Sequence, residues 1–390
     1  MDTKKGFSLL QIVSIFLIVI VSVGFIFIGN KIGLFKKDLS PKNKFTAAEK
    51  KYCGYAKKTL TWINSKRDEN GKYFGFIDCD FEKKTCNGPQ EAGLSGHDAI
   101  PAIWARYKYI QKTGDTDEIS ILKKDIDYYY QQLDKMQVQN NFWNCRLLLE
   151  ITDQKILSQE YLDKVHKLCT TSTYISSDEV KNIYSEKTKS DINVISQVDY
   201  YDWQNPDKTK DLVFKSDQSI NQNYKWFVTF PSDFVARYKS SQKQNDLDVA
   251  NAYFNKLLQG YYLDYVNFSA NDKCLLAISS LDLYSVNKEQ KYLDWAKDVY
   301  SLYFTDQGAK SEGMNLECAF LNRELAKYDN NSKYQSSEEK LLSVFISKYW
   351  DGDGSFRKLN GEGGFFLIEE RNIWSKSLLQ NALLVNLLCP

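Results

Sequence analysis

The sequence predicts an all-α fold: an (α/α)6 toroid of six helical hairpins behind a single N-terminal transmembrane helix. Three observations carry this. From about residue 46 onward two kinds of helix alternate, each kind occurs six times, and the long connections fall on alternate junctions only. One kind is apolar nearly all round, as in Cys274-Leu275-Leu276-Ala277-Ile278 followed by Leu281, Leu283, Tyr284 and Val286. The other is apolar along one stripe, as in Tyr292, Trp295, Ala296, Val299 and Tyr303, with Lys, Asp and Glu elsewhere. A helix apolar on every side is buried on every side, and a striped one keeps a wet face. Strict alternation therefore reads as an inner ring of helices inside an outer ring.

Outer helices are expected near 46–66, 117–135, 157–170, 244–264, 288–304 and 334–350. Inner helices are expected near 97–113, 140–154, 230–242, 271–286, 312–328 and 371–388. The chain begins this pattern on an outer helix and ends it on an inner one, so the last helix can close on the first. Inner-to-outer turns are short; Thr113-Gly114-Asp115 offers a glycine to end one helix and a cap to start the next. Outer-to-inner connections at 67–95, 171–229 and 351–370 are long, and loops beyond ~15 residues are uncommon unless they work. One end of the toroid is plain and the other carries the elaboration. The repeat is degenerate, about 50–60 residues per hairpin. One echo survives: Asp68-Glu69-Asn70-Gly71-Lys72-Tyr73-Phe74 follows the first outer helix, and Asp351-Gly352-Asp353-Gly354-Ser355-Phe356 follows the last.

Three segments organise the chain: an anchor over 1–30, a Lys-rich tether over 31–45 and the toroid over 46–390. Ser8 to Gly29 is a run of 22 residues without a charge. At helical rise it reaches ~33 Å, enough to cross a bilayer. It is too long for a signal-peptide core, and no small-residue cleavage site follows. A plain count of Lys4 and Lys5 before the span against Lys31, Lys36, Lys37, Lys42 and Lys44 after it would leave the toroid in the cytoplasm. The cysteines argue the other way. There are eight, and the helix map gives each one a partner: Cys53 with Cys389 at the closing seam, Cys79 with Cys86 in one loop, Cys145 with Cys169 at one end of a hairpin, and Cys274 with Cys318 near the starts of successive inner helices. Oxidised pairs imply an extracytoplasmic domain. Only two His are present and no C-x-x-C occurs, so zinc is not expected.

At the elaborated end six inner helices bring their N-termini together. Unpaired N–H groups and aligned dipoles make that floor positive and rich in donors. The residues expected around it mix carboxylates, amides and flat aromatics, a set suited to sugars. The candidate catalytic groups are Asp98, Asp202, Asp272, Glu312 and Glu317, with His97 as a proton carrier beside Asp98. Asp98 and Asp272 also suit helix caps, and Glu312 suits a first-turn acid. Glu317 lies inside its helix, where an inward carboxyl is costly unless used or paired; Glu317 as general acid with Asp98 as base is the preferred pair. Substrate contacts are expected from Trp143, Asn144, Trp203, Trp226, Asn315, Arg371 and Trp374. Trp62, Trp295 and Trp350 read as core, and His166 as exposed.

Two resemblances follow from these residues. The segment Lys5-Gly6-Phe7-Ser8-Leu9-Leu10-Gln11 resembles the processing motif of type IV prepilins, with Gln11 where that family carries Glu; it implies a C-terminal part outside the membrane. The helix pattern over 46–390, with loops such as Trp350-Asp351-Gly352-Asp353-Gly354-Ser355-Phe356, resembles the six-hairpin (α/α)6-toroid carbohydrate-active enzymes. That resemblance implies glycoside hydrolysis by two carboxyls flanking the scissile bond, with epimerisation or elimination as lesser options. No cofactor is expected. Asp351, Asp353, Ser355 and Glu362 match positions 1, 3, 5 and 12 of a calcium loop, but Phe356 stands where that loop needs Gly. The net charge of +1 does not indicate nucleic acid. The expected partners are a glycan and, through residues 8–29, a lipid bilayer. The rivals to an enzyme are a non-catalytic toroid that binds glycan or protein at the cell surface, and a component of a pilus-like or secretion apparatus.

Overall fold

The structure, a computed structural model, describes residues 47–74, 76–80, 85–86, 96–132, 143–172, 228–262, 268–305, 308–310, 313, 315–329, 331–351 and 373–389. The chain divides into two units, Met1–Ala48 and Glu49–Pro390. The expected anchor and tether lie outside the described residues, and among the described residues no helix is long and apolar enough to cross a membrane.

The described outer helices are α1 (Ala47–Ser65), α3 (Asp117–Gln131), α5 (Gln159–Ser172), α7 (Gln244–Tyr262), α9 (Gln290–Tyr303) and α11 (Lys333–Tyr349). Between them run α2 (Gly96–Thr113), α4 (Asn144–Leu148), α6 (Phe230–Ser241), α8 (Ala270–Asn287), α10 (Leu316–Ala326) and α12 (Leu378–Leu388). Each even-numbered helix packs on the next, α2 on α4, α4 on α6, α6 on α8, α8 on α10 and α10 on α12, and α12 packs back on α2. The inner ring is closed.

Burial follows the two helix types. In α8 every residue from Cys274 to Leu283 is buried, whereas in α9 burial is confined to the stripe Tyr292, Leu293, Trp295, Ala296, Val299, Tyr300 and Tyr303. A helix buried all round must satisfy its hydroxyls internally. Ser279 Oγ donates to the carbonyl of Val228 at 2.7 Å, and Ser280 Oγ to that of Tyr292 at 2.7 Å. Trp62, Trp295 and Trp350 are all core, and His166 is exposed.

The plain end is built from short turns closed by left-handed residues. Gly114, Gln242 and Lys288 have φ of 73°, 57° and 58°. The Gln242 N–H returns to Tyr238 O and the Lys288 N–H to Tyr284 O, ending α6 and α8. At the seam Cys53 of α1 is bonded to Cys389, across a sequence separation of 336. Cys145–Cys169 joins α4 to α5, and Cys274–Cys318 joins α8 to α10. Closing such loops stabilises a fold by on the order of 3–5 kcal/mol each in the chain-entropy picture.

Three expectations need correction. The helix expected over 371–388 begins only at Leu378; Ile373–Ser377 is a strand. This β5 pairs antiparallel with β1 (Phe76–Asp80), which also pairs with β2 (Thr85–Cys86). Ile373 and Trp374 favour extended backbone, and Ser377 caps α12 through Gln380 N, so the helix starts where a cap exists. Cys79 lies opposite both Cys86 and Trp374 in register. A second short hairpin, β3 (Phe304–Thr305) with β4 (Gly308–Ala309), links α9 to α10. The helix expected over 140–154 is only Asn144–Leu148. Beyond it the N–H groups of Thr152 and Asp153 donate to Tyr107 Oη at 3.2 and 3.0 Å, and Asp153 Oδ1 accepts from Lys155 N, turning the chain early. The helix expected over 312–328 starts at Leu316, because Asn315 caps it. Gly313 precedes that cap, where a Cβ would stand 2.7 Å from Tyr303 O.

Candidate functional site

Glu317 is the second residue of α10, in its first turn, beside the cap formed by Asn315 Oδ1 on Cys318 N at 2.8 Å. Its neighbour Cys318 is bonded to Cys274 near the start of α8, so two inner-helix N-termini are tied beside the carboxyl. The side chain is 4% exposed. One oxygen, Oε1, accepts from Gln380 Nε2 of α12 at 3.1 Å; Oε2 is buried without a hydrogen-bond partner. Burial raises its pKa above the usual carboxylate value, and the negative charge of Asp272 adds to the rise; its own backbone N–H and Gln380 oppose it. An amide N–H can be accepted by a carboxyl oxygen in either protonation state. Oε2 is the oxygen left open to a ligand.

Asp272 lies at the start of α8. It forms a capping box with Ser269: its Oδ2 accepts from Ser269 N at 2.9 Å and Ser269 Oγ at 2.6 Å, while its own N–H donates to Ser269 Oγ. Its work is to hold the helix start and to bias Glu317. Asn315, expected to touch substrate, is likewise engaged as a cap.

Across the ring, Trp143 precedes α4 with φ 51° and is wholly buried. Arg146 lies over its ring at 4.9 Å, and Phe320 meets its edge at 5.8 Å. Protein thus covers a face that a sugar would stack on, and Trp143 serves as core rather than as the expected open platform. Asn144 is 2% exposed and its Oδ1 has no hydrogen-bond partner.

Asp233 was not among the sequence candidates. It lies in the first turn of α6, fully buried, and its Oδ1 accepts from Arg146 N at 2.9 Å. It caps α4 from another helix, because Trp143 offers no side-chain cap. Its Oδ2 is buried without a hydrogen-bond partner, and burial pushes its pKa up to about 8. The only sequence signal was Asp two residues after Pro231 at a helix start, which reads as an ordinary first-turn acid.

The remaining candidates are divided. His97 and Asp98 stand in the first turn of α2 by backbone, and Trp374 stands in β5; their side chains lie outside the description. Asp202, Trp203, Trp226, Glu312 and Arg371 lie outside the described residues, as do Asp353, Ser355 and Glu362 of the calcium idea. Asp351 is buried. Among the described residues no group of His, Cys, Asp and Glu could hold a metal ion.

No protein-family profile matches the sequence, and no curated protein matches it. Solved structures do match. An unsaturated glucuronyl hydrolase specific for heparin aligns with a TM-score of 0.56 at 10% identity, over 87% of this chain and 95% of that one. An unsaturated glucuronyl hydrolase from Streptococcus agalactiae aligns at 0.55 and 8% identity, over 88% and 91%. A family GH76 α-mannanase from Bacteroides thetaiotaomicron aligns at 0.50 and 11% identity, over 87% and 94%. The chain has the fold of the six-hairpin toroid glycoside hydrolases. At these identities the likeness concerns the fold alone.

Proposed function

We propose that this protein hydrolyses a glycan at the inner-helix N-terminal end of the toroid, with Glu317 as the proton donor. The observation that carries this is the Glu317 carboxyl: buried, raised in pKa by that burial, and holding one oxygen without a partner. A general acid must keep its proton until the leaving oxygen needs it, and burial does that. The second carboxyl is Asp98 in the first turn of α2. That helix packs on α12, whose Gln380 holds Glu317, so the two acidic positions lie on helices that flank α12 in the ring. A separation of ~5–5.5 Å would make Asp98 a nucleophile, and ~6.5–9.5 Å would make it a base acting through water. The toroid fold that this chain shares with glucuronyl hydrolases and a mannanase supports a glycan as substrate. The uncharged run over 8–29 supports a bilayer anchor. Disulfides within the toroid support an extracytoplasmic domain.

A non-catalytic glycan-binding toroid is the second reading, favoured by the capping duty of Asp272, which takes one candidate acid out of the chemistry. Reducing-end release from a panel of plant, fungal and bacterial polysaccharides separates the two. Hydrolysis predicts release by the wild type and a loss of about 10²–10⁴-fold in both Glu317→Gln and Asp98→Asn. Binding of a glycan by the wild type without release supports the second reading and overturns the first.

A further inference from the structure

Glu317 is awkwardly placed for a carboxyl. Its Oε2 is buried without a hydrogen-bond partner, which costs free energy. It also stands in the first turn of α10, and a first turn lacks intrahelical partners for its N–H groups and frays most easily. Left to itself, that turn would loosen and let the carboxyl reach water. Three contacts oppose this. Asn315 Oδ1 accepts from Cys318 N at 2.8 Å, and Gln380 Nε2 donates to one carboxyl oxygen at 3.1 Å. The third is covalent: Cys318, the residue after Glu317, is bonded to Cys274 of α8. Both cysteines are wholly buried. Of the disulfides among the described residues it alone joins two inner helices; the other two, Cys53–Cys389 and Cys145–Cys169, each tie an outer helix to an inner one. Its far end matters as well. Asp272 lies two residues before Cys274, fixed by its capping box, and among the described residues it is the charge that acts on Glu317.

We propose that the Cys274–Cys318 bond is a positioning element of the hydrolytic site: it clamps the first turn of α10 onto α8, so that the Glu317 carboxyl stays buried and beside Asp272. The inference rests on Glu317 as the proton donor, and it makes the two cysteines positioning residues that touch no substrate. A hydrogen-bonded cap opens and closes with the turn it holds. A covalent bond does not, so it is the contact that survives fraying. With the bond cut, the turn loosens, water reaches the carboxyl and the distance to Asp272 is no longer fixed. Burial and the Asp272 charge are the two influences that raise the Glu317 pKa. Both relax together, and the proton is held less firmly.

The test is difference infrared titration of the Glu317 carboxyl in the full-length chain in detergent, with Glu317→Gln as the blank in each background. In Cys274→Ala with Cys318→Ala the carboxyl should titrate lower than in the wild type, by about one pH unit. Where a glycan is cleaved, the alkaline limb of the pH–rate profile should move down with it. Cys53→Ser with Cys389→Ser, which cuts the seam instead, should leave the titration in place. So should Asn315→Ala, which removes the cap and keeps the bond. An unchanged or higher titration without the Cys274–Cys318 bond overturns the proposal. An equal drop in the seam variant means general loosening and overturns it too. A drop in Asn315→Ala makes the cap the holder and overturns it as well, and that variant decides the matter even where the Cys274 and Cys318 double variant fails to fold. The titration needs no substrate, so an absence of hydrolysis bears on Glu317 as proton donor and not on the bond.

Discussion

Three acidic residues at helix starts look alike in the sequence and differ in the structure because of what surrounds them. Asp272 is spent on a capping box. Asp233 is fully buried, and the burial that lifts its pKa to about 8, far above the usual carboxylate range, has a consequence for stability. Between pH of about 4 and 8 the folded protein keeps a proton that the unfolded chain has released, so unfolding free energy falls as pH rises through that window. Urea unfolding at stepped pH should show that slope, and Asp233→Asn should flatten it while keeping the acceptor for Arg146 N. Glu317 differs again, because Gln380 occupies one oxygen only. Gln380→Leu removes a hydrogen bond that lowers the Glu317 pKa. Difference infrared titration, with Glu317→Gln as the blank, should find the carboxyl titrating at higher pH in Gln380→Leu than in the wild type. An unchanged titration would mean that the contact does not set the proton.

At the scale of elements, the alternation of buried and striped helices was legible because burial leaves a period in the sequence. The starts of α10 and α12 were less so. Each begins at a polar cap, Asn315 or Ser377, that sits inside an apolar-rich stretch, and the strand Ile373–Ser377 depends on pairing with Phe76–Asp80, almost three hundred residues away in sequence. Such pairing has no local signature. The junction of α1, α2 and α3 holds another feature the sequence hid. Arg106 of α2 is wholly buried, donates to Glu118 and Asn64, and lies 3.4 Å from Asp125. Arg106→Ala leaves Glu118 with Lys57 and Asp125 with Arg67 and Tyr73, so it opens a cavity and weakens two buried ion pairs without stranding them, and should cost about 3 kcal/mol in unfolding free energy. Arg106→Met, which fills much of the volume while Lys57 and Arg67 keep the carboxylates paired, should cost less than Arg106→Ala in urea unfolding.

The described inner helices form a closed ring, and a covalent bond fastens its seam. Cys53 and Cys389 tie the first outer helix to the end of the last inner one. Cys53→Ser with Cys389→Ser should lower thermal stability under oxidising conditions and leave it unchanged relative to the wild type once both are reduced. The ring also separates two chemistries. Carboxyls with spare oxygens, Glu317 and Asp233, stand at inner-helix N-termini, and a neutralised ionic cluster stands at the C-termini. The toroid, its closing seam and the inward placement of Glu317 were all within reach of the sequence. Asp233 was not, because its burial arises from contact between α4 and α6. The measurement that tests the central claim most directly is a crystal structure of Glu317→Gln soaked with an oligosaccharide that the wild type cleaves or, failing cleavage, binds. Hydrolysis by this end predicts a glycosidic oxygen within ~3 Å of residue 317, with Asp98 on the far side of the bond. A sugar held elsewhere on the toroid, or one whose glycosidic oxygens all lie out of reach of residue 317, would contradict it.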